Sequence, residues 1–259
     1  MRVCLVYDHF YPLTLGGAER WLTGLADGLA DEGHSVTYLT MRHWDKNVEP
    51  TLAGVQVVAV GRRHRMYRHG RRTMLPPLIF GTLVLVHLFR HRRAYDAVHL
   101  VAFPYFAVLA AAAVRPVAHY QLLVDWFEVW TPTYWRQYLG RLGGTVGWFV
   151  QRACIRVTDH AFCFSRMHSQ RLRDEGFDGP ITILGGLYQG LKSASNALES
   201  EPLVIYAGRF IPEKRVPLVV LAIAAVRERL PHLCCEIYGG GPEESALREL
   251  IRTNSLADR

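Results

Sequence analysis

Residues 203–214 read Leu203-Val-Ile-Tyr-Ala-Gly-Arg-Phe-Ile-Pro-Glu-Lys214, an apolar run that ends in a glycine and is followed by two cations. The apolar, partly β-branched run predicts a strand buried on both faces. Gly208 lets the backbone turn at the carboxyl end of that strand, where open α/β sheets bind ligands. Arg209 and Lys214 place two positive charges there, as a bound diphosphate requires. Solvated loop cations are the alternative interpretation, and the remainder of the chain decides against it.

The charge of the chain is concentrated in one region. The chain has 259 residues, half of them hydrophobic, which allows one or two domains with sizeable cores. Its net charge is +7, and residues 51–95 contain nine arginines without any Asp or Glu. Such a region favours an anionic partner. The five cysteines show no CxxC spacing, which predicts buried, reduced thiols in a cytosolic protein.

The N-terminal part alternates predicted strands and helices. Strands are predicted at residues 3–7, 35–39 and 54–60, with a helix over residues 18–29, and this order predicts a parallel sheet with right-handed crossovers. Gly16 and Gly17 separate the first strand from the helix, so a phosphate or sugar hydroxyl could approach the helix N-terminus. A glycine turn without a ligand is the alternative. The absence of G-x-G-x-x-G at this turn argues against a dehydrogenase.

The arginines of the basic region flank an apolar segment at residues 75–89. The six that precede it are Arg62, Arg63, Arg65, Arg68, Arg71 and Arg72. The segment is too short to span a bilayer, and we interpret it as a helix at an anionic membrane surface contacted by these arginines. A crossover helix beside a solvated basic loop is the alternative. Nucleic acid is disfavoured, because only Tyr67 could stack on a base.

Two carboxylates follow a predicted core strand in the middle of the chain. We predict a strand at residues 97–101, a helix over 104–114 and a strand at 117–124. Asp125 and Glu128 would then lie at a carboxyl strand end, which makes them candidate catalytic residues. Nearby aromatic residues either stack on a sugar ring or pack in the core. These residues are Trp126, Trp130, Tyr134, Trp135 and Tyr138.

The chain is predicted to have two domains. A helix over residues 147–157, a strand at 161–164, a helix over 165–175 and a strand at 181–184 complete the first domain, residues 1–186. Residues 187–201 are rich in Gly, Ser and Asn and are predicted to be a linker. The second domain, residues 202–259, continues with a helix over 216–227 and a strand at 233–238. Gly239 and Gly241 then precede a helix opened by Pro242.

Four motifs together resemble glycosyltransferase family 4, whose members are retaining enzymes with the GT-B fold. Gly16-Gly-Ala-Glu19 is similar to the family's G-G-x-E opening, and residues 208–214 resemble its G-R-x-x-x-x-K donor segment. Residues 239–242 are similar to its G-x-G-P turn, and Ser165 with Gly185-Gly186 matches the end of its first domain. The resemblance covers essentially the whole chain and implies two Rossmann-like α/β domains.

The resemblance implies a nucleotide-diphosphate sugar bound between the two domains. Arg209 and Lys214 would neutralise the leaving diphosphate, with Gly16 and Gly17 facing it from the first domain. Gly239 and Gly241 would form a donor-site loop. Transfer would retain the anomeric configuration, with no cofactor and no metal, and the acceptor would be lipid-linked or a polysaccharide. The protein would be cytoplasmic and peripheral on the inner face of the membrane, acting on cell-envelope polysaccharide.

The sequence departs from the family pattern at two places. The family commonly has a histidine where this chain has Asp125, and His119 lies earlier, within the predicted strand, so Asp125 is the candidate substitute. The family's E-x7-E segment would come after Arg259, which implies a chain truncated in its second domain with weak or no turnover by itself. The alternatives are a non-catalytic relative that binds a membrane or protein partner, and a sugar-nucleotide epimerase of the same fold.

Overall fold

The computed structural model of the chain describes residues 1–45, 50–62, 67–68, 71–72, 75–185 and 202–257. At residues 67–68, 71–72 and 213 it describes the backbone alone. The chain divides into two compact units, Met1–Gln189 and Gly190–Arg259. The predicted linker at residues 187–201 lies outside the described residues, so the predicted domain boundaries stay a prediction.

The first unit is built on a parallel sheet. Its strands are β1 (Arg2–Val6), β2 (Ser35–Arg42), β3 (Val55–Arg62), β6 (Ala97–Val101), β7 (Gln121–Trp126), β8 (His160–Cys163) and β9 (Ile181–Ile183). They form a seven-stranded sheet in the order β3-β2-β1-β6-β7-β8-β9, with every neighbouring pair parallel. Two short strands between β3 and β6, β4 (Tyr67–Arg68) and β5 (Arg71–Arg72), pair with each other as an antiparallel ribbon. The predicted parallel α/β architecture is therefore confirmed.

Helices cover both faces of this sheet. They are α1 (Gly17–Asp31), α2 (Leu75–Arg90), α3 (Tyr105–Ala118), α4 (Pro132–Val157) and α5 (Arg166–Asp174). α1 packs its buried Leu22 and Ala26 against Leu5 and Tyr38 on one face. The other four helices contribute to a second core on the opposite face. This division follows from right-handed crossovers, because the connection that contains α1 runs toward β3, whereas the connections that contain the other four helices run toward β9.

The second unit contains a two-stranded parallel sheet. Its elements are β10 (Leu203–Ala207), a 3-10 turn (Pro212–Lys214), α6 (Pro217–Val226), β11 (Cys234–Tyr238) and α7 (Glu244–Thr253). The prediction that β10 is buried on both faces is wrong, since Leu203, Val204 and Ile205 are 46%, 37% and 61% exposed. Among the described residues β10 pairs only with β11. The core of this unit is formed by Phe210 and by buried side chains of α6 and α7, and Tyr206 is the β10 residue that packs against it.

The predicted strand at residues 117–124 begins too early. α3 continues through Pro116 to Ala118, and His119 ends it in the left-handed conformation with φ of 62°. Pro116 lacks the amide hydrogen that a helical residue donates to the carbonyl four residues earlier, so α3 gives up one backbone hydrogen bond in its last turn. β7 starts at Gln121, so His119 is a helix cap outside the strand and Asp125 lies within the strand.

The cysteines behave as small core residues. Cys4, Cys154 and Cys163 are buried and the other two are partly buried, and none of the five forms a disulfide. Burial raises the pKa of the Cys4 thiol to about 12, and the pKa of Cys163 to about 11. These thiols therefore stay protonated near neutral pH and are poor nucleophiles.

Replacing Gly81 by valine is expected to destabilise the first unit by about 2 kcal/mol, through overpacking between α2 and α3. A Cβ at this position would lie 2.7 Å from Phe106 Cβ and 2.9 Å from the Phe106 carbonyl oxygen. Urea unfolding followed by tryptophan fluorescence measures the change. The matched control is Gly28→Val in α1, where a Cβ meets no atom within 4 Å. Equal stability of the two variants would contradict the close approach of α2 and α3.

The stability of the first unit is expected to fall as the pH is lowered from about 6.5 to about 4, because of His87. Burial, then the neighbouring His91 ring, lowers the pKa of His87 to about 4, and its Nε2 lies 2.8 Å from the Tyr95 hydroxyl. In this range unfolded His87 binds a proton that folded His87 does not, so the contribution is present above pH 6.5 and lost below.

Solvent screening around the half-buried ring limits this contribution to at most about 2 kcal/mol. The measurement is the urea midpoint at pH 7 and at pH 4.5, for the wild type and for His87→Phe. The His87→Phe protein should lose less stability on acidification, whereas His232→Gln, at an exposed position of the second unit, should follow the wild type. An unchanged pH dependence in His87→Phe would show that other groups cause the loss.

Candidate active site

The carboxyl ends of the strands in the first unit place three groups of polar side chains at one edge of the sheet. The loops after β1, β7 and β8 lie at this edge, because parallel strands all point the same way. Ligands of open α/β sheets bind outside this edge. Of the predicted residues, Asp125 belongs to β7, Gly16 and Glu128 belong to these loops, and Gly17 is the first residue of α1.

Asp125 is the most enclosed carboxylate of this edge. Its side chain has no exposed surface, and Trp21 Nε1 donates a hydrogen bond of 2.9 Å to its Oδ2. Its Oδ1 lies 2.8 Å from His99 Nε2, and the His99 ring stacks on Phe162 at 5.2 Å. Both carboxylate oxygens are therefore engaged within the protein. This geometry favours a positioning role for Asp125, and its predicted catalytic role stays a prediction.

His99 and Trp21 were missed as site residues in the sequence. The histidine lies in an otherwise apolar strand, β6, two residues before that strand ends, which is the signal that could have identified it. Trp21 follows the helical spacing of the core face of α1, so its indole reads as a packing residue. The contact that unites the three is non-local, since Trp21 and Asp125 are 104 residues apart.

Glu128 is an accessible carboxylate in the loop after β7. It is exposed, and its Oε2 accepts a hydrogen bond of 2.7 Å from Trp130 Nε1. The neighbouring Val129 amide donates to His168 Nδ1 at 3.1 Å. Burial, then Arg171, lowers the pKa of His168, with Glu128 opposing the shift. His168 is therefore neutral near pH 7, with Nδ1 as the acceptor and the proton on Nε2.

The predicted aromatic wall divides into a buried and an accessible part. Trp126 and Trp135 are 0% and 4% exposed, so the interpretation that they stack on a sugar is wrong and they belong to the core. Trp130 and Tyr134 are half-buried and Tyr138 is 44% exposed. The Trp130 ring meets both tyrosine rings edge-on, at 4.7 Å and 5.1 Å. We call these three residues the aromatic patch.

The buried amide of Gln151 fixes the aromatic patch in place. Its Oε1 accepts hydrogen bonds from the Trp130 amide at 3.0 Å, from Tyr105 Oη at 3.1 Å and from Trp135 Nε1 at 3.3 Å. Its Nε2 donates to the Trp130 carbonyl at 2.9 Å. Gln151 has no exposed surface, so these bonds are shielded from water. The loop after β7 is thus held to α3 and α4.

The two glycines before α1 lie beside a carboxylate of the same chain. Gly16 is the N-cap of α1 with an extended backbone, and Gly17 is the first helical residue. Buried Glu19 packs its carboxylate against Gly16, so that a Cβ at Gly16 would lie 2.8 Å from Glu19 Cδ. Gly17 has open space instead, with no atom within 4 Å of a Cβ built there. The prediction that these glycines face a diphosphate stays a prediction.

A carboxylate–histidine pair next to this loop was also missed in the sequence. Asp8 is buried at the carboxyl end of β1, and its Oδ1 lies 2.8 Å from His9 Nδ1. The His9 ring stacks on the His43 ring at 5.2 Å, and His43 Nε2 lies 2.7 Å from the Asp8 carbonyl oxygen. Adjacent aspartate and histidine directly after a core strand were the available signal.

The second unit places the predicted donor-site residues on two connected loops. The loops after β10 and β11 are joined by hydrogen bonds from Gly208 N to Tyr238 O and from Phe210 N to Gly240 O, both 2.9 Å. Gly239 and Gly241 have φ of 153° and 156°, and a Cβ at either would overlap the backbone at residue 208 or 210. Both glycines are therefore required for this approach.

Arg209 and Lys214 are exposed cations of the loop after β10, and the neighbouring Arg215 is a third. Arg209 follows Gly208 directly, and Lys214 ends the 3-10 turn. Phe210 is 5% exposed and anchors the loop in the core of the second unit. Within residues 202–257, neither cation forms a salt bridge with a described carboxylate. Two cations that pair with no described carboxylate, on a constrained loop at the carboxyl end of a strand, suit an anionic ligand.

The basic region is described only in part. Arg62 ends β3 and is exposed, whereas Arg63 and Arg65 lie outside the described residues. Arg68, Arg71 and Arg72 belong to the β4–β5 ribbon, and their side chains also lie outside the description. In the part of the chain that the structure describes, no helix is long and apolar enough to cross a membrane. The same residues contain no group of three metal-ligating side chains.

Comparison with known proteins gives two family matches. The model of glycosyltransferase family 4 matches residues 15–185, and that of glycosyl transferases group 1 matches residues 190–259. Over 78 residues the chain is 33% identical to the GtfA subunit of a UDP-N-acetylglucosamine–peptide N-acetylglucosaminyltransferase from Streptococcus pneumoniae. That match covers 30% of this chain and 15% of the relative.

Several solved structures have the same fold as this chain over its whole length. Sucrose-phosphate synthase from Thermosynechococcus elongatus superposes with a TM-score of 0.73 at 18% identity, and HepE from Anabaena with UDP-glucose superposes with 0.63 at 14%. TarM from S. aureus, in a complex that includes UDP, superposes with 0.69 at 8% identity. Each match covers all of this chain and 69%, 67% and 76% of the other chain, respectively. At these identities the likeness shows the fold, which is that of GT-B glycosyltransferases.

Proposed function

Because the chain belongs to glycosyltransferase family 4, we propose that it transfers a hexosyl group from a nucleotide-diphosphate sugar to an acceptor, with retention of configuration. One observation carries the proposal: Arg209 and Lys214 are exposed, have no described carboxylate partner, and lie on a loop that Gly239 and Gly241 allow to be held rigidly. Oriented cations of this kind stabilise a leaving diphosphate in the transition state.

The proposed reaction breaks the bond between the sugar C1 and the β-phosphate oxygen and forms a bond from C1 to the acceptor oxygen. The electron pair of the broken bond leaves with the nucleoside diphosphate, whose added charge faces Arg209 and Lys214. The acceptor hydroxyl gives its proton to the departing phosphate oxygen, so the products are the glycosylated acceptor and the protonated nucleoside diphosphate. Retention requires that the acceptor attack the face from which the diphosphate departs. The residues proposed here supply electrostatic stabilisation, and no step needs a metal or an organic cofactor.

The acceptor proposed is lipid-linked or a polysaccharide, in the context of the cell envelope and an anionic membrane surface. The aromatic patch supports the sugar part of this proposal, since Tyr138 is accessible and exposed Glu128 lies beside Trp130. Aromatic rings stack on the C–H faces of sugars, and a carboxylate accepts hydrogen bonds from their hydroxyls. HepE and TarM were solved with UDP-glucose or UDP, which makes UDP-sugars the first donors to test.

Titration of the purified chain with UDP-glucose, UDP-N-acetylglucosamine, ADP-glucose and GDP-mannose tests donor binding. Mass spectrometry of undecaprenyl-phosphate-linked and soluble glycan acceptors then tests transfer. Binding of one donor is the expected result, and a mass increase of one hexosyl unit on the acceptor, even at the low rate expected of this chain, would support transfer. Conversion of the donor sugar without an acceptor would instead identify an epimerase. Absence of both donor binding and transfer would favour the non-catalytic alternative.

A further inference from the structure

The layer formed by α2, α3 and α4 carries no acidic side chain. These three helices contain six arginines and no Asp or Glu, whereas α1, α5 and α7 all contain acidic residues. Arg115 and Arg152 lie near the carboxylates of Asp159 and Glu175. The other four are exposed and form no salt bridge with a described residue, namely Arg90, Arg136, Arg141 and Arg156. The outer surface of this layer is therefore positively charged.

α4 adds a stripe of exposed apolar side chains to this surface. Leu142, Val146 and Phe149 are 87%, 62% and 57% exposed, and their spacing places them on one side of the helix. Single exposed apolar residues are common on protein surfaces, but a contiguous stripe indicates a contact site. The stripe continues from the exposed Leu139, on the other side of Gly140.

The stripe lies on a helical hairpin that glycines make possible. α4 is interrupted at Gly140, where φ is 75° and ψ is 179°. A Cβ at Gly144 would lie 2.6 Å from the Arg136 backbone, so the segments before and after Gly140 pack closely together. The hairpin therefore presents Leu139, Arg141 and Leu142 at its tip, an arrangement of apolar residues beside an arginine.

α2 presents a second apolar stripe in the same layer. Leu75, Leu78, Leu85 and Phe89 are 64%, 43%, 38% and 54% exposed and recur at helical spacing. Gly81 packs α2 against α3, and α2, α3 and α4 all contribute to the core on one face of the sheet. Their outward-facing residues consequently form one surface, which we call the helical face.

We propose that the helical face docks on an anionic lipid bilayer, with α2 and the α4 hairpin lying in the interface. Charge decides between the possible occupants. Two copies of this chain would bring two acid-free, arginine-bearing surfaces together, which repel each other. A bilayer with anionic headgroups offers negative charge above an apolar interior, which matches arginines beside apolar stripes. Each arginine near such a surface is worth roughly a fivefold gain in partitioning.

This inference rests on the membrane context of the proposed function, for which it names the surface that binds, and its test needs no nucleotide sugar. The purified chain is sedimented with vesicles of 30% phosphatidylglycerol in phosphatidylcholine and with vesicles of phosphatidylcholine alone. We expect binding to the anionic vesicles, little to the neutral ones, and marked weakening in 1 M salt. The double variant Leu142→Glu with Phe149→Glu should bind at least tenfold more weakly.

A matched control and a second variant distinguish loss of the binding surface from misfolding of the variant. Leu221→Glu with Leu230→Glu adds the same two charges at 45% and 48% exposed positions of the second unit and should bind like the wild type. Arg136→Gln with Arg141→Gln leaves the apolar stripe intact and should lose binding by roughly twenty-five-fold.

Three results would overturn the proposal. The first is no binding of the wild type to anionic vesicles. The second is equal binding by wild type and both helical-face variants. The third is a wild-type dimer in light scattering that Leu142→Glu with Phe149→Glu converts to a monomer, which would assign the surface to self-association. Failure of sugar transfer affects none of these readouts, so the two proposals can fail separately.

Discussion

Lys214→Ala is expected to slow transfer by about a hundredfold or more, the range found for loss of one oriented transition-state donor, and also to weaken binding of the nucleoside diphosphate. Lys214 is exposed at the end of the 3-10 turn and has no salt bridge among the described residues of the second unit. Binding of an anion by Lys214 therefore breaks no salt bridge with a described carboxylate. Arg209→Ala should have a comparable effect, and Arg209→Lys should recover only part of it, because lysine cannot bind a phosphate through two parallel hydrogen bonds.

The measurement is titration with the nucleoside diphosphate, combined with single-turnover transfer where an acceptor has been found. Arg248→Ala is the matched control, because Arg248 is an exposed arginine of the same unit that pairs with Glu244 on α7. It should bind like the wild type. If Lys214→Ala and Arg248→Ala bind the diphosphate equally well, the anion does not bind at the loops after β10 and β11.

Asp125→Ala is expected to lower the free energy of unfolding of the first unit by about 3 kcal/mol, as expected when one partner of a buried polar network is removed. The substitution would leave Trp21 Nε1 and His99 Nε2 without their acceptor in a site closed to solvent. Asp125→Asn should cost less, because the amide keeps one accepting oxygen and nearly the same volume.

All six tryptophans lie in the first unit, so urea unfolding followed by tryptophan fluorescence reports on that unit alone. Asp178→Ala, at an exposed position, should change its stability by less than about 0.5 kcal/mol. If Asp125 acts only by holding Trp21 and His99 in the folded structure, Asp125→Asn should lose activity only as far as it loses stability. A fully folded Asp125→Asn protein with transfer reduced by three orders of magnitude would restore the catalytic assignment.

Local sequence pattern was enough to predict the parallel sheet of the first unit. The alternation of apolar runs with helical spacing located β1, β6 and α1 nearly to the residue, and Ser165 caps α5 as its position indicated. The predicted start of β7 was wrong because alanine-rich α3 continues through Pro116. An apolar run cannot by itself show where a helix ends and a strand begins.

Single residues of the candidate site could be predicted from the sequence, but the contacts between them could not. The sequence indicated Arg209, Lys214 and Asp125, because charged residues after apolar strands are local features. It could not indicate that Asp125 is closed in by Trp21 and His99, since those contacts join residues 104 and 26 positions apart. The exposure of β10 was equally hidden, because burial depends on neighbouring strands and helices and not on the apolar run itself.

The hydrogen bonds of Gln151 bear on the entropy of acceptor binding. Because one amide oxygen holds Trp130 to α3 and α4, the loop that carries the aromatic patch loses little conformational freedom when a sugar arrives. Immobilising a flexible side chain on binding costs about 0.5–1.5 kcal/mol, and ordering a loop adds to that cost. The backbone of Trp130 is already ordered in the folded first unit, so its ordering does not oppose acceptor binding. Calorimetry should therefore show acceptor binding with a small unfavourable entropy in the wild type and a larger one in Gln151→Ala.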